Sequence, residues 1–205
     1  MRLKTSSKLF SRRYLVLFGG LVLLLLFAGV SFILYATMKV QQALLSDVPI
    51  YAATDLYNKA LEQVEKEDYK AAEGYLEQAL MKEEDSTYRN KLAVVKYRLK
   101  KYPEAIEQYQ KLIDQKKDVA FAWNGIGNAY RDWATQDNFE QYREKSIAAY
   151  EEAIKADPRY VAAYSNLALL YINQNKPDET KRVLAEGIQV TKSLELISIQ
   201  KSLFP

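Results

Sequence analysis

The sequence contains no cysteine and no histidine. That excludes thiolate nucleophiles, imidazole general bases, zinc sites built on Cys or His, and structural disulfides. Zero cysteine is compatible with either side of a membrane, so it says little about redox compartment. Acidic residues are also missing from the start of the chain, where Asp47 is the first. Five of the 29 Lys and Arg (Arg2, Lys4, Lys8, Arg12 and Arg13) crowd into the first thirteen residues, which leaves 24 basic against 26 acidic side chains elsewhere. The net charge of +3 therefore belongs to the tail, and a basic nucleic-acid groove is not expected. There is no glycine-rich phosphate loop and no metal-ligand cluster. The Glu and Lys of residues 62–70 are what a solvated helix surface looks like. No catalytic residue, metal or cofactor is predicted, and the chain does not read as an enzyme.

At 205 residues the chain holds one ordinary domain with an appendage. The appendage is apolar. Residues 14–38 carry no charge, which is long enough to span a bilayer. Each central Leu, Val, Ile or Phe contributes roughly −0.3 to −0.6 kcal/mol to insertion, outweighing Gly19, Gly20, Gly29 and Ser31. Tyr14 and Tyr35 stand roughly 31 Å apart on a helix, at the right separation for two interfacial anchors. A cleaved signal peptide is the competing reading. Its best site, Gly29-Val30-Ser31, would leave Phe32 onward still inside the apolar run, so an uncleaved anchor is preferred. Five basic residues precede the span and only Lys39 follows it before Lys59. The positive-inside bias then predicts a single-pass plasma (inner) membrane protein with a cytoplasmic N-terminus and everything after the span extracytoplasmic. The expected layout is a basic tail (1–13), a transmembrane signal anchor (14–38) and a linker (39–50).

Beyond the linker the sequence repeats. The clearest unit reads Trp123-x-x-Ile126-Gly127-x-x-Tyr130, then Ser146-x-x-x-Tyr150-x-x-Ala153, then Pro158. The register returns as Tyr164, Leu167-Ala168, Tyr171, Thr180, Leu184 and Gly187, and upstream as Leu92-Ala93, Tyr102, Ala105, Tyr109 and Leu112. A first copy runs through Ala60, Tyr69, Ala72, Leu76 and Ala79. This pattern resembles the tetratricopeptide repeat (TPR), in which two antiparallel helices close on small residues and bulky ones fill the space between them. The resemblance implies an all-α fold: an N-terminal transmembrane helix, then a TPR α-solenoid of about four helix pairs with a C-terminal capping helix. The domain is expected over 51–193, with repeats at about 51–84, 86–118, 119–158 and 160–193 and a capping helix or tail at 194–205. Three repeats are the alternative, because the first two copies are eroded and Lys96 stands where an aromatic residue is usual. Between Tyr130 and Ser146 the third repeat carries seven extra residues, which one extra turn on each helix would absorb.

The family resemblance places the ligand groove on the concave surface, lined by first helices. The corresponding positions are Tyr57, Asn58, Asn90, Lys91, Tyr97, Arg98, Asn124, Asn128, Arg131, Asn166 and Asn173. Asn side chains offer donors and an acceptor to the backbone of an extended peptide, and Lys91, Arg98 and Arg131 favour carboxylates. The bland alternative is a solvated helix face. Trp133, Phe139 and Tyr142, in the extension, either pack on one another or form a second surface. The expected function is a membrane-tethered adaptor or chaperone-like module that binds an extended protein segment. Its layout is similar to that of bacterial inner-membrane repeat proteins that accompany the secretion channel. The alternative is a self-associating scaffold of an envelope assembly. Protein or peptide partners and a membrane are expected, nucleic acid is not, and homo-oligomers belong to the scaffold reading.

Overall fold

The computed structural model describes residues 51–137 and 140–204, together with 31, 33, 35, 37 and 39. The chain divides into two units, Met1–Ile50 and Tyr51–Pro205. In the first, the described positions are helical, and Lys39 Nζ stands 5.9 Å from the centroid of the Tyr35 ring. The basic tail and most of the predicted span and linker lie outside the described residues. Among the described residues, no helix is long and apolar enough to cross a membrane.

The described part of the second unit is all-α. Its helices are α1 (Ala53–Glu65), α2 (Tyr69–Lys82), α3 (Ser86–Arg98), α4 (Tyr102–Asp114), α5 (Val119–Asp137), α6 (Glu140–Ala156), α7 (Val161–Asn173), α8 (Pro177–Thr191) and α9 (Leu194–Leu203). Consecutive helices pack as pairs, α1 with α2 through α7 with α8, and α9 lies on α7 and α8. Between pairs, α3 meets α5, α5 meets α7 and α7 meets α9, and among the described residues no comparable packing joins successive second helices. First helices therefore form the inner side of the solenoid, and second helices the outer side.

Local sequence sets the helix ends. Asp85 caps α3 by accepting from the backbone N–H groups of Thr87 (2.6 Å) and Tyr88 (3.2 Å). Asp68 does the same for α2 through Ala71 at 3.0 Å. Pro103 and Pro177 occupy the first turns of α4 and α8, where a missing N–H costs nothing. One turn recurs within pairs. Glu67, Lys100 and Asn175 all adopt left-handed φ of 55–59°, and the next residue's N–H reaches back five residues, as from Lys101 to the carbonyl of Lys96 at 3.0 Å. These are Schellman-type stops made without glycine.

Small residues meet where the paired helices cross. Ala60 and Ala72, Ala93 and Ala105, and Ala168 and Thr180 are each 0% exposed. In the third pair Ser146, also fully buried, donates its hydroxyl to the carbonyl of Gly127 at 2.8 Å. The added Cβ of an alanine at Gly127 would lie 2.5 Å from the Tyr150 ring, so the glycine is what lets that ring in. Full burial of an aromatic ring such as Tyr150 stabilises the fold by roughly 2–3 kcal/mol. The extra residues of the third repeat lengthen both helices, α5 to 19 residues and α6 to 17, against 13–15 in the other pairs.

Candidate functional site: the inner face of the first helices

The predicted groove residues fall into two groups. Asn58 and Arg98 are exposed, as is Asn173, while Tyr57 and Lys91 are half-buried. Lys91 and Arg98 lie two turns apart on α3 and form no ion pair among the described residues.

The other group is engaged inside the protein. Asn124 is buried at 7% exposure, and its Oδ1 accepts from Asn166 Nδ2 at 2.9 Å, tying α5 to α7. Asn128 Oδ1 accepts from the Tyr150 hydroxyl (2.8 Å) and from Arg131 Nη1 (3.2 Å). Asn90 Nδ2 donates to Asp118 at 3.2 Å. A free ladder of asparagines, as the sequence suggested, is therefore not what the inner face presents, because most of these amides hold neighbouring helices together.

Arg131 and Asp132 form the electrostatic centre of this face. Arg131 Nε donates to Asp132 Oδ1 at 2.8 Å, and the Tyr97 hydroxyl donates to Asp132 Oδ2 across the gap from α3. Burial and that hydrogen bond push the Tyr97 hydroxyl up to about 12. Burial also raises the Tyr150 hydroxyl to about 12. Burial opposes the charge on Arg131, but the hydrogen bond to Asp132 more than offsets it.

Two further clusters bear on the site. Lys96, which replaces the usual aromatic residue, is 5% exposed, and its ammonium donates to Glu73 (2.7 Å), Glu77 (2.9 Å) and Glu104 (2.8 Å). Glu73 is equally buried and also accepts from Lys101 at 2.8 Å. Arg89, buried on the same helix, pairs with Glu84 and donates to Gln108 at 2.7 Å. In the sequence Lys96 stands out as a cation at an aromatic position, whereas its carboxylates come from α2 and α4 and share no short motif with it.

The second cluster is aromatic. The Trp133 and Tyr142 rings stack at 4.3 Å, Tyr130 lies parallel to Trp133 at 6.4 Å, and Tyr102 joins at 6.4 Å. Lys145 Nζ stands 5.4 Å from both the Tyr130 and Tyr142 centroids. These rings brace the lengthened pair. Phe139 lies outside the described residues.

Among the described residues, no group of three or more carboxylates is placed to hold a metal ion. The geometry is one of stacked helix pairs with a polar inner face, and it defines a helical-repeat interaction module. The chain belongs to the family described as Tetratricopeptide Repeats-Sensor, which matches residues 68–173, just over half of its length, and the description Tetratricopeptide repeat matches 161–194. No curated protein matches. Among solved structures, a thermophilic TPR protein of Thermus thermophilus aligns with a TM-score of 0.59 at 18% identity, over 75% of this chain and 84% of its own. MamA of Desulfovibrio magneticus aligns at 0.54 and 19%, over 75% and 78%. A tetratricopeptide repeat protein of Parabacteroides merdae aligns at 0.56 and 21%, over 70% and 56%. At these identities the likeness is one of fold. Proteins of this repeat class are typically non-enzymatic scaffolds that bind other proteins.

Proposed function

We propose that this chain is a membrane-tethered adaptor or chaperone-like module, not an enzyme, which holds an extended segment of a partner protein on the inner face of its first helices. The observation that carries the reading is the pair Lys91 and Arg98, unpaired cations among the described residues, on the helix face beside the Arg131–Asp132–Tyr97 network. A photoreactive amino acid at Arg98 or Asn173 should crosslink the partner in cells, while one at Lys155, which is 75% exposed on the outer helix α6, should not. Crosslinks from Lys155 alone would sink the groove.

The tether rests on the uncharged run 14–38 and its flanking charges. With no native cysteine, Ser6→Cys and Ser86→Cys give clean probes. In intact cells an impermeant maleimide should label the second and spare the first, and the reverse pattern would overturn the extracytoplasmic placement. Leu194, 82% exposed, favours self-association as a second reading. Light scattering separates the two, since the adaptor is a monomer and the scaffold is not.

A further inference from the structure

The stripe Asn124, Asn128 and Arg131 on α5 faces the stripe Asn166, Leu169 and Asn173 on α7. The Asn166–Asn124 hydrogen bond fixes the register between them. Two turns beyond that bond, the Arg131 guanidinium is held at two of its three nitrogens: Nε by Asp132 (2.8 Å), and Nη1 by Asn128 (3.2 Å) and the Tyr150 hydroxyl (3.4 Å). Its Nη2 donates to no described residue, and the side chain keeps 22% of its surface open. A guanidinium fixed in this way has already lost its rotamer freedom, so an incoming carboxylate need not order it. Asp132 is oriented by bonds from Arg131 Nε and from Tyr97, and it accepts none from Nη2. On α7, one turn before Asn173, Leu169 is 46% exposed, and among the described residues it is the exposed large apolar side chain on the first helix of a pair. A cationic donor and an apolar side chain thus lie on neighbouring helices.

We propose that Arg131 and Leu169 are paired subsites for an extended protein segment carrying an acidic side chain and a large apolar one two or three residues apart. The spacing follows from geometry: packed helices lie about 8–10 Å apart and an extended chain advances about 3.3 Å per residue. The proposal rests on the groove reading and adds to it which side chains the groove selects. Lys91 and Arg98 lend long-range attraction of the same sign, whereas the hydrogen bond to the carboxylate belongs to Arg131.

The test uses the full chain in detergent and a displayed library of random ten-residue peptides. Selected peptides should be enriched in an Asp or Glu followed or preceded at that spacing by Leu, Ile, Phe or Met. For the best peptide, acid-to-amide replacement should weaken binding about tenfold with the natural chain and change little with Arg131→Gln, because the two changes remove the same contact. Leu169→Ser, at an exposed position that leaves folding alone, should lose the apolar preference and keep the acidic one. Peptides that bind and crosslink to the inner face but respond to neither variant would refute the paired subsites and leave the groove standing. A library that yields no binder at all would overturn the groove reading, and the subsites with it.

Discussion

Replacing Lys96 by Met keeps the length and bulk of the side chain and removes only its charge. The ammonium is nearly buried and donates to three carboxylates, of which Glu73 has a side chain only 7% exposed while Glu77 and Glu104 are 45% and 49% exposed. The half-open pair can turn to water. Glu73 cannot, and would be left with Lys101 alone. Removing one partner of a buried pair costs about 3–5 kcal/mol, and the surviving Lys101 contact places Lys96→Met at the low end, near 3 kcal/mol. Glu73→Leu alone should cost less, about 1–2 kcal/mol, because Lys96 keeps two carboxylates and Lys101, a third exposed, regains water. Together the two changes leave an apolar contact where an ion pair stood, so the double variant should lie within about 1 kcal/mol of the natural protein. The assay is urea unfolding followed by circular dichroism, with m-values checked for constancy. A coupling energy of about 3–5 kcal/mol is expected from the cycle. Additive costs, or a neutral Lys96→Met, would show that Glu73 is not held charged by this cluster.

Other expectations follow from the same packing. Gly127→Ala should overpack the third pair against Tyr150 and cost about 1–3 kcal/mol in the same assay; a neutral result would mean the ring moves aside freely. Glu67→Gly, at a φ of 58°, should stabilise by up to about 1 kcal/mol by relieving the left-handed conformation, and a loss of stability would show that the Glu67 side chain matters more than its backbone. The pH dependence has two limbs. Hydrogen bonds from Arg89 and Gln115 hold Glu84 below the usual carboxylate range; for Glu73 burial works the other way, and its bonds to Lys101 and Lys96 prevail. A depressed folded-state carboxyl gives stability that is present above its unfolded value and lost as the pH falls through the folded one, so melting should drop below about pH 4.5. Tyr97 and Tyr150 are raised to about 12, so their contribution is full below the unfolded value near 10 and lost between there and about 12. Tyr97→Phe should flatten the alkaline limb, and an unchanged limb would refute that assignment.

The helix pairs were legible because their crossing points are sequence-local. Ala72, Ala105, Ser146 and Thr180 mark the second helices, and every one is fully buried. A small residue at a crossing has one physical reason to recur, the close approach of two backbones, and no competing role to blur it. The lengthened third pair could be read for the same reason, since whole extra turns preserve the faces on either side.

Asparagine is the opposite case. Its amide serves equally as a ligand grip, a clasp between helices and a solvated surface group, and spacing along one helix does not separate the three uses. The choice is made by the neighbouring repeat. Asn124 is a clasp because Asn166 arrives from α7, 42 positions later, at 2.9 Å. Asn128 is one because Tyr150 and Arg131 converge on its oxygen. Lys96 follows the same logic with opposite appearance. A cation at an aromatic position looks like a defect until Glu73 and Glu77 from α2 and Glu104 from α4 surround it. Burying it then depends on carboxylates from its own helix pair and from the preceding one. What the inner face has left to offer a ligand among the described residues, after these clasps are made, includes Asn58, Lys91, Arg98, Asn173, Arg131 Nη2 and Leu169.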